Sequence, residues 1–435
     1  MDVWDDTNNT DIHVTAARVP ARDQIITAAS SRRPTERAFL ALVRQWLLQD
    51  YVPTYCNILA TTRIFRRYYW VDALRGYPKT SLNIALTTQA EETKNNRRHK
   101  QKKQFDSPQP RPEALQPFQT LTRTLLQEQA PVTFYGILLI GSNSKRQTNT
   151  TGGIKGGQIT HDLAQIKESS ILPTNWSDIA APLLKAIEPA PATFLLNPLS
   201  PIILDNDYMT PLYRRTAPTE IFLFLNHKQI SLCLQEAQKN STQATALTSL
   251  LRTNRWKTLS TREEQRTETV TTFITLLRTA MQRHFQYPPQ EITLPLISGP
   301  VSLNTAPYSL IYATRRQDSL LLMNDVLCRY QRQLYQHSYH GVLSEEWFAQ
   351  QEEQRHTLAL QQLTKQIKQQ GEKQRARRWP DLRQQFVLKQ FGKFTQQEYD
   401  MLIQQLLSNQ EVHCIWQQKK DIQVRIPDNY DTLQW

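Results

Sequence analysis

Residues 67–86 read RYYWVDALRGYPKTSLNIAL. An apolar run, Tyr68 to Val71, ends in Asp72, and a lone glycine, Gly76, follows four residues later. A short, continuous apolar run of this kind fits a strand buried on both faces. Strand, acid and glycine in that order outline the first strand and loop of a Rossmann-like nucleotide-binding sheet. Arg75 and Pro78 stand where such a loop wants small, flexible residues. Proline removes an amide donor and arginine fills space. The stretch therefore reads either as a cofactor site or as the remains of one.

The same pattern recurs along the chain. FYGILLI (134–140), ATFLL (192–196) and EIFLFL (220–225) are short apolar runs, and ITLPLI (292–297) and YSLIYAT (308–314) follow them. Helical spacing is predicted over 35–51, where Phe39, Leu40, Val43, Trp46 and Leu47 share one stripe, and over 82–88, 179–187, 262–285 and 318–336. Alternating strands and helices predict βαβ units, hence an α/β domain with a mostly parallel sheet over residues 35–340. Residues 1–34 are polar and aperiodic and read as an irregular arm.

A chain of 435 residues has room for two or three domains, and 39 % hydrophobic against 21 % charged residues excludes global disorder. Its 11 glycines are few for an enzyme with several phosphate loops. Lys and Arg outnumber Asp and Glu by 52 to 39, a net +13 that favours acidic partners, nucleic acid first and an anionic surface second. Part of that excess sits in a basic insertion at about 91–112. Lys94, Arg97, Arg98, Lys100, Lys102 and Lys103 have no acid among them, which reads as a phosphate-binding arm or as a solvated surface insertion. The later glycine-rich stretch GSNSKRQTNTTGGIKGG (141–157) lacks the Gly-Lys-Ser/Thr order of a phosphate loop and reads as a flexible loop.

Cys56, Cys233, Cys328 and Cys414 form no close pair, so four reduced, buried thiols are expected. His161, His284, His337 and His340 show no metal spacing with acids or cysteines, and no metal is expected. No apolar run approaches the length needed to span a bilayer, and the acidic, polar start MDVWDDTNNTD is no secretory signal. A cytoplasmic protein without a membrane partner is expected.

Residues 341–378 are Gln-rich and charge-laced and read as a helical linker, solvated on most faces. The segment 379–435 differs. Thr395 and Glu398 form a capping box before the stripe Met401, Leu402, Leu406, and CIW (414–416) and IQVRI (422–426) follow as strands joined through Lys419 and Lys420. Helix, turn, helix and hairpin is the winged-helix plan, with both lysines at the wing tip. The helix 395–408 carries few cations, so a protein-docking role is open beside a nucleic-acid one.

In serial order these motifs resemble the three-Cys-motif partner proteins, a bacterial and phage-associated family with a methyltransferase-like Rossmann fold. The resemblance covers most of 37–335 and extends to the tail. DALRGYP (72–78) stands where that family has an acid and a glycine-rich loop, PTNWSD (173–178) places Asn175 in the position of an acid, and FLLNPLS (194–200) matches a strand end with Asn197 and Pro198. YSLIYATRRQDSLLLMNDV (308–326) is similar to a late strand and helix of the family. The resemblance implies an S-adenosylmethionine pocket at Asp72, Gly76 and Asn175, and a partner that is a cysteine-rich protein.

The pocket reads as vestigial. Pro78 and Arg75 spoil the loop, and Gly141, at the end of the second strand, offers no side chain to a ribose. Each lost buried polar partner costs roughly 1–3 kcal/mol. Asn197-Pro198 is the counter-signal, since base-methylating enzymes use such a pair when an aromatic platform follows. Here Leu199 and Ser200 follow, and the pair also reads as a turn at a strand end. Arg75 reads equally as a phosphate grip or as a partner for Asp72. The expected function is binding, to nucleic acid and to a protein partner, without a cofactor. An active S-adenosylmethionine-dependent nucleic-acid methyltransferase, with Asn197 and Pro198 at its centre, and a structural subunit of an assembly are the alternatives.

Overall fold

The computed structural model describes residues 36–74, 115–140, 168–299, 302–375, 377–417 and 426–435. Seven strands hydrogen-bond side by side in the order Ser170–Leu172, Thr133–Leu139, Arg67–Asp72, Ala192–Leu196, Thr219–Asn226, Tyr308–Thr314 and Gln290–Ile292, and the fold is mixed α/β with a mostly parallel, Rossmann-like sheet. The chain forms two compact units, Pro34–Asn197 with Asp207–Thr219, and Pro198–Asn206 with Glu220–Trp435.

The first unit opens with helix α1 (Glu36–Trp46), a π-helical turn (Leu47–Tyr51) and helix α2 (Val52–Thr61). Pro53, in the first turn of α2, has no amide to continue the helical ladder, which fits the break there. Strand β1 (Arg67–Asp72) follows and is buried at every position from Tyr68 on. Burial on both faces is what a central parallel strand requires, and its unbroken apolar run supplies it. Helix α3 (Gln116–Gln127), β2 (Thr133–Leu139), β3 (Ser170–Leu172), α4 (Trp176–Ala186), β4 (Ala192–Leu196) and α5 (Asn206–Arg214) complete the unit. β1 lies between β2 and β4, parallel to both, with Asp72 in register with Leu138 on one side and Leu195 on the other. Gly136 of β2 makes room for α3, because a Cβ there would stand 2.3 Å from the Phe118 ring.

Beyond its segment Pro198–Asn206, the second unit continues from β5 (Thr219–Asn226), whose first residue is counted with the first unit. Residues 227–251, to which the sequence reading assigns no element, form α6 (His227–Lys239) and α7 (Ser241–Leu251), capped by the side chains of Asn226 and Asn240. Helix α8 (Arg266–Gln282), strand β6 (Gln290–Ile292), the hairpin of β7 (Pro295–Gly299) and β8 (Ser302–Thr305), and strand β9 (Tyr308–Thr314) come next. β9 runs antiparallel to both β5 and β6. Then follow α9 (Gln317–Tyr339), α10 (Glu345–Gln374), α11 (Trp379–Lys389), α12 (Gln396–Ser408), β10 (His413–Ile415) and β11 (Thr432–Gln434).

The Gln-rich stretch is indeed one long helix, α10, but it is more than a tether. Leu363 and Ile367 enter a core with Leu321 of α9, Trp379 and Phe386 of α11, and Tyr399, Ile403 and Leu406 of α12. Gly371 lies flat against the Trp435 ring, where a Cβ would come within 2.3 Å. The capping box is formed as its sequence predicts, with the Thr395 amide donating to Glu398 Oε2 at 2.7 Å. The described partner of β10 is β11, in register His413 to Gln434. The Leu433 amide of β11 also donates to the Arg377 carbonyl at 2.8 Å. Apart from Ile426, the expected strand 422–426 lies outside the described residues. β11 carries only three residues, too few for alternation to announce it.

Candidate functional site

In open α/β sheets ligands bind outside the carboxyl ends of the strands, where the strand order reverses. Here the order reverses at β1, with β2 on one side and β4 on the other. Asp72 is the last residue of β1 and is fully buried. Its carboxylate is held by Arg44 of α1. Arg44 Nε donates to Oδ2 at 2.6 Å and a terminal guanidinium nitrogen reaches Oδ1 at 3.3 Å. The same nitrogen donates to the Leu74 carbonyl at 2.8 Å, and the Leu74 amide donates to Oδ1 at 2.9 Å. The side chains are 6 % and 0 % exposed, so the pair is sealed from water. The buried partner of Asp72 is thus an arginine 28 residues upstream, whereas Arg75, the partner weighed from sequence, lies outside the described residues. One signal points to Arg44: it lies on the apolar stripe of its helix, four residues after Leu40 and four before Leu48, both buried.

Asn175 immediately precedes α4 in extended conformation. Its carbonyl accepts from the Asp178 amide at 3.2 Å and its side-chain nitrogen reaches Asp178 Oδ2 at 3.3 Å. These contacts belong to a helix start. Asn197 directly follows β4 and is half-buried, and Pro198 and Leu199 form the turn. The Pro198 carbonyl accepts from Leu204 at 2.8 Å, and Leu199, at the position an aromatic platform would take, is 7 % exposed. Asp72 ends β1, Asn197 directly follows β4, and Asn175 lies three residues beyond β3, a strand to which the sequence reading assigns no element.

Gly76, Pro78, Gly141 and the basic residues Lys94, Arg97, Arg98, Lys100, Lys102 and Lys103 lie outside the described residues, as do Lys419, Lys420 and His161. Among the described residues no group of three or more His, Cys, Asp or Glu is placed to hold a metal ion. His340 Nδ1 instead contacts Glu345 at 2.9 Å, and its ring lies edge-on to His337. Cys56, Cys233 and Cys328 are buried free thiols, and burial pushes the latter two up to about 12. Cys414 is only half-buried, because β10 lies at the surface. No helix among the described residues is long and apolar enough to cross a membrane.

A second polar centre joins three helices of the second unit. Glu398 of α12 accepts both oxygens' worth of contact from Arg332 of α9, at 2.8 and 2.7 Å, and meets His356 of α10 at 2.6 Å. Burial pushes its carboxyl up, but the Arg332 and Thr395 hydrogen bonds outweigh this and hold it below the ordinary value. A depressed carboxyl contributes stability that is complete above its unfolded value, about 4.3, and is lost as pH falls through the lower folded value. Glu398→Gln is expected to cost roughly 1–3 kcal/mol at neutral pH and to flatten the acid limb of stability below about pH 4.5, read by denaturant melts across pH. An unchanged acid limb would remove Glu398 from that role.

No protein-family model, no curated protein and no solved structure matches the chain.

Proposed function

We propose that this chain is a methyltransferase-like Rossmann protein with a degenerate cofactor pocket, working by binding nucleic acid and a protein partner. The first five strands follow the 3-2-1-4-5 order of a Rossmann sheet, which supports the methyltransferase-like reading of the α/β part. The observation that carries the degenerate pocket is the Arg44–Asp72 pair. The acid at the switch point is wholly buried and spent on an arginine and a backbone amide. A cofactor reaching for it would have to break an ion pair whose charges are shielded from water, at a cost of several kcal/mol.

For the nucleic-acid part, the +13 charge and the run 94–103 supply the electrostatics. The succession α11, α12, β10 and β11, with the Arg377 carbonyl bonded to β11, supports a winged helix, and Lys419 and Lys420 are the wing cations that the sequence suggests. A cysteine-rich protein of the three-Cys-motif type is the partner that the resemblance suggests.

Calorimetric titration of the full chain with S-adenosylmethionine is expected to give no binding tighter than about 1 mM. A micromolar constant would reinstate the active nucleic-acid methyltransferase, the second reading, which Asn197-Pro198 at the end of β4 favours. Nucleic-acid affinity is expected to fall steeply with salt. A flat response, or no binding, would leave the structural-subunit reading.

A further inference from the structure

We propose that the junction of α10 and α11, together with the outward stripe of α12, is a docking surface for duplex DNA. This deepens the nucleic-acid reading above and rests on it. Lys373, Arg375, Arg377 and Arg378 are all exposed, and none has an ion-pair partner among the described residues. The acids of the same stretch are Glu372 and Asp381. Lys373, in the last turn of α10, and the three arginines that follow the helix place four cations in six positions, and a polyanion that binds them releases its own condensed counterions.

The start of α11 is fixed beside α12. Trp379, the first residue of α11, donates through Nε1 to Asp400 Oδ1 at 2.7 Å, and Arg383, one turn on, meets both oxygens of Asp400 at 2.7 Å. Asp400 is thereby neutralised, and the residue after it, Met401, points outward, 48 % exposed. Gln397, Met401, Gln405 and Ser408 are the exposed stripe of α12, spaced every three or four residues, while Tyr399, Leu402, Ile403 and Leu406 face the core. Lys393 is exposed just before the helix starts. An uncharged stripe of two glutamines, a methionine and a serine, on a helix bonded to the start of α11, divides the labour of DNA recognition with the cations that precede α11. Cations hold phosphates, and glutamine can pair with an adenine edge while an apolar group meets the thymine methyl.

The occupant follows from groove shape. The B-DNA major groove admits an α-helix, and the major groove of duplex RNA is too deep and narrow for side chains to read. Single strands are held chiefly by stacking on aromatic rings, and the α12 stripe has none.

The test uses the full chain and a fluorescein-labelled DNA duplex of about three helical turns, with the same sequence as single strand and as duplex RNA. The variant R375Q/R377Q/R378Q removes charge while leaving the Arg377 carbonyl that accepts from Leu433. It is expected to keep the wild-type melting temperature, to bind duplex DNA at least about tenfold more weakly, and to lower the slope of log affinity against log salt by about 2–3. Q397A/Q405A is expected to keep non-specific affinity and to lose the sequence motif that wild type enriches from random duplexes. If wild type binds duplex DNA and the triple-arginine variant keeps its affinity and slope, this surface is wrong and the nucleic-acid reading survives. Tighter binding to single strands or to duplex RNA also overturns the proposal. If wild type binds none of the three probes, both readings fall.

Discussion

Replacing Arg44 with methionine is expected to cost about 3–5 kcal/mol of stability, a loss readable as a shift in denaturant midpoint. The methionine keeps most of the aliphatic stem of α1 in place, so packing changes little. What remains is Asp72, fully buried with its main counter-charge removed. A buried carboxylate left without its counter-charge is far more costly than the intact pair is stabilising. The double variant Arg44→Met with Asp72→Asn separates these effects. Asparagine still accepts from the Leu74 amide and carries no charge, so it is expected to recover much of the loss. A single variant that loses less than about 1 kcal/mol would show that water reaches Asp72, and the sealed strand end on which the degenerate pocket rests would be gone.

Gly392→Ala is expected to destabilise the second unit by roughly 2–4 kcal/mol. Gly392 has φ +78°, where a side chain clashes with the following carbonyl oxygen. Its Cβ would also stand 2.5 Å from Leu327 Cδ2. The loop is held in place from below. The Gly392 amide donates to Asn324 Oδ1 at 2.8 Å and Asn324 Nδ2 donates to the Phe394 carbonyl at 2.8 Å, with Asn324 wholly buried on α9. The backbone therefore cannot relax without surrendering these bonds. Leu327 Cγ would also stand 2.9 Å away and that side chain is 2 % exposed, so the contact adds to the cost of the dihedral angle. Asparagine tolerates the left-handed region but is larger, so a loss smaller than alanine's, read from thermal melts, would place most of the cost in the dihedral angle, and a greater loss would place it in the contact with Leu327.

Much of this architecture is legible in local runs of residues. ATFLL and YSLIYAT coincide with β4 and β9 because a short apolar run between polar or proline residues has one way to be buried on both faces. The Thr395–Glu398 box is closed within four residues, so its letters suffice to read it. The stripe Ile230, Cys233, Leu234, Ala237 of α6 carries a helical spacing too, yet the sequence reading assigns no element there.

Pairings between distant segments are another matter. Nothing in RYYWVDAL says that its acid is met by an arginine on a preceding helix, or that β9 runs against its neighbours, or that the last three-residue strand lies beside His413–Ile415. Periodicity reports only that a face is buried, because burial is a property of one segment against an averaged interior. Which charge neutralises which, and which strand lies beside which, depends on directional bonds between groups well separated in sequence, 28 residues apart for Arg44 and Asp72 and from 17 (Ile415 to Thr432) upward for the last strand pair, and those are set only when the chain has closed on itself.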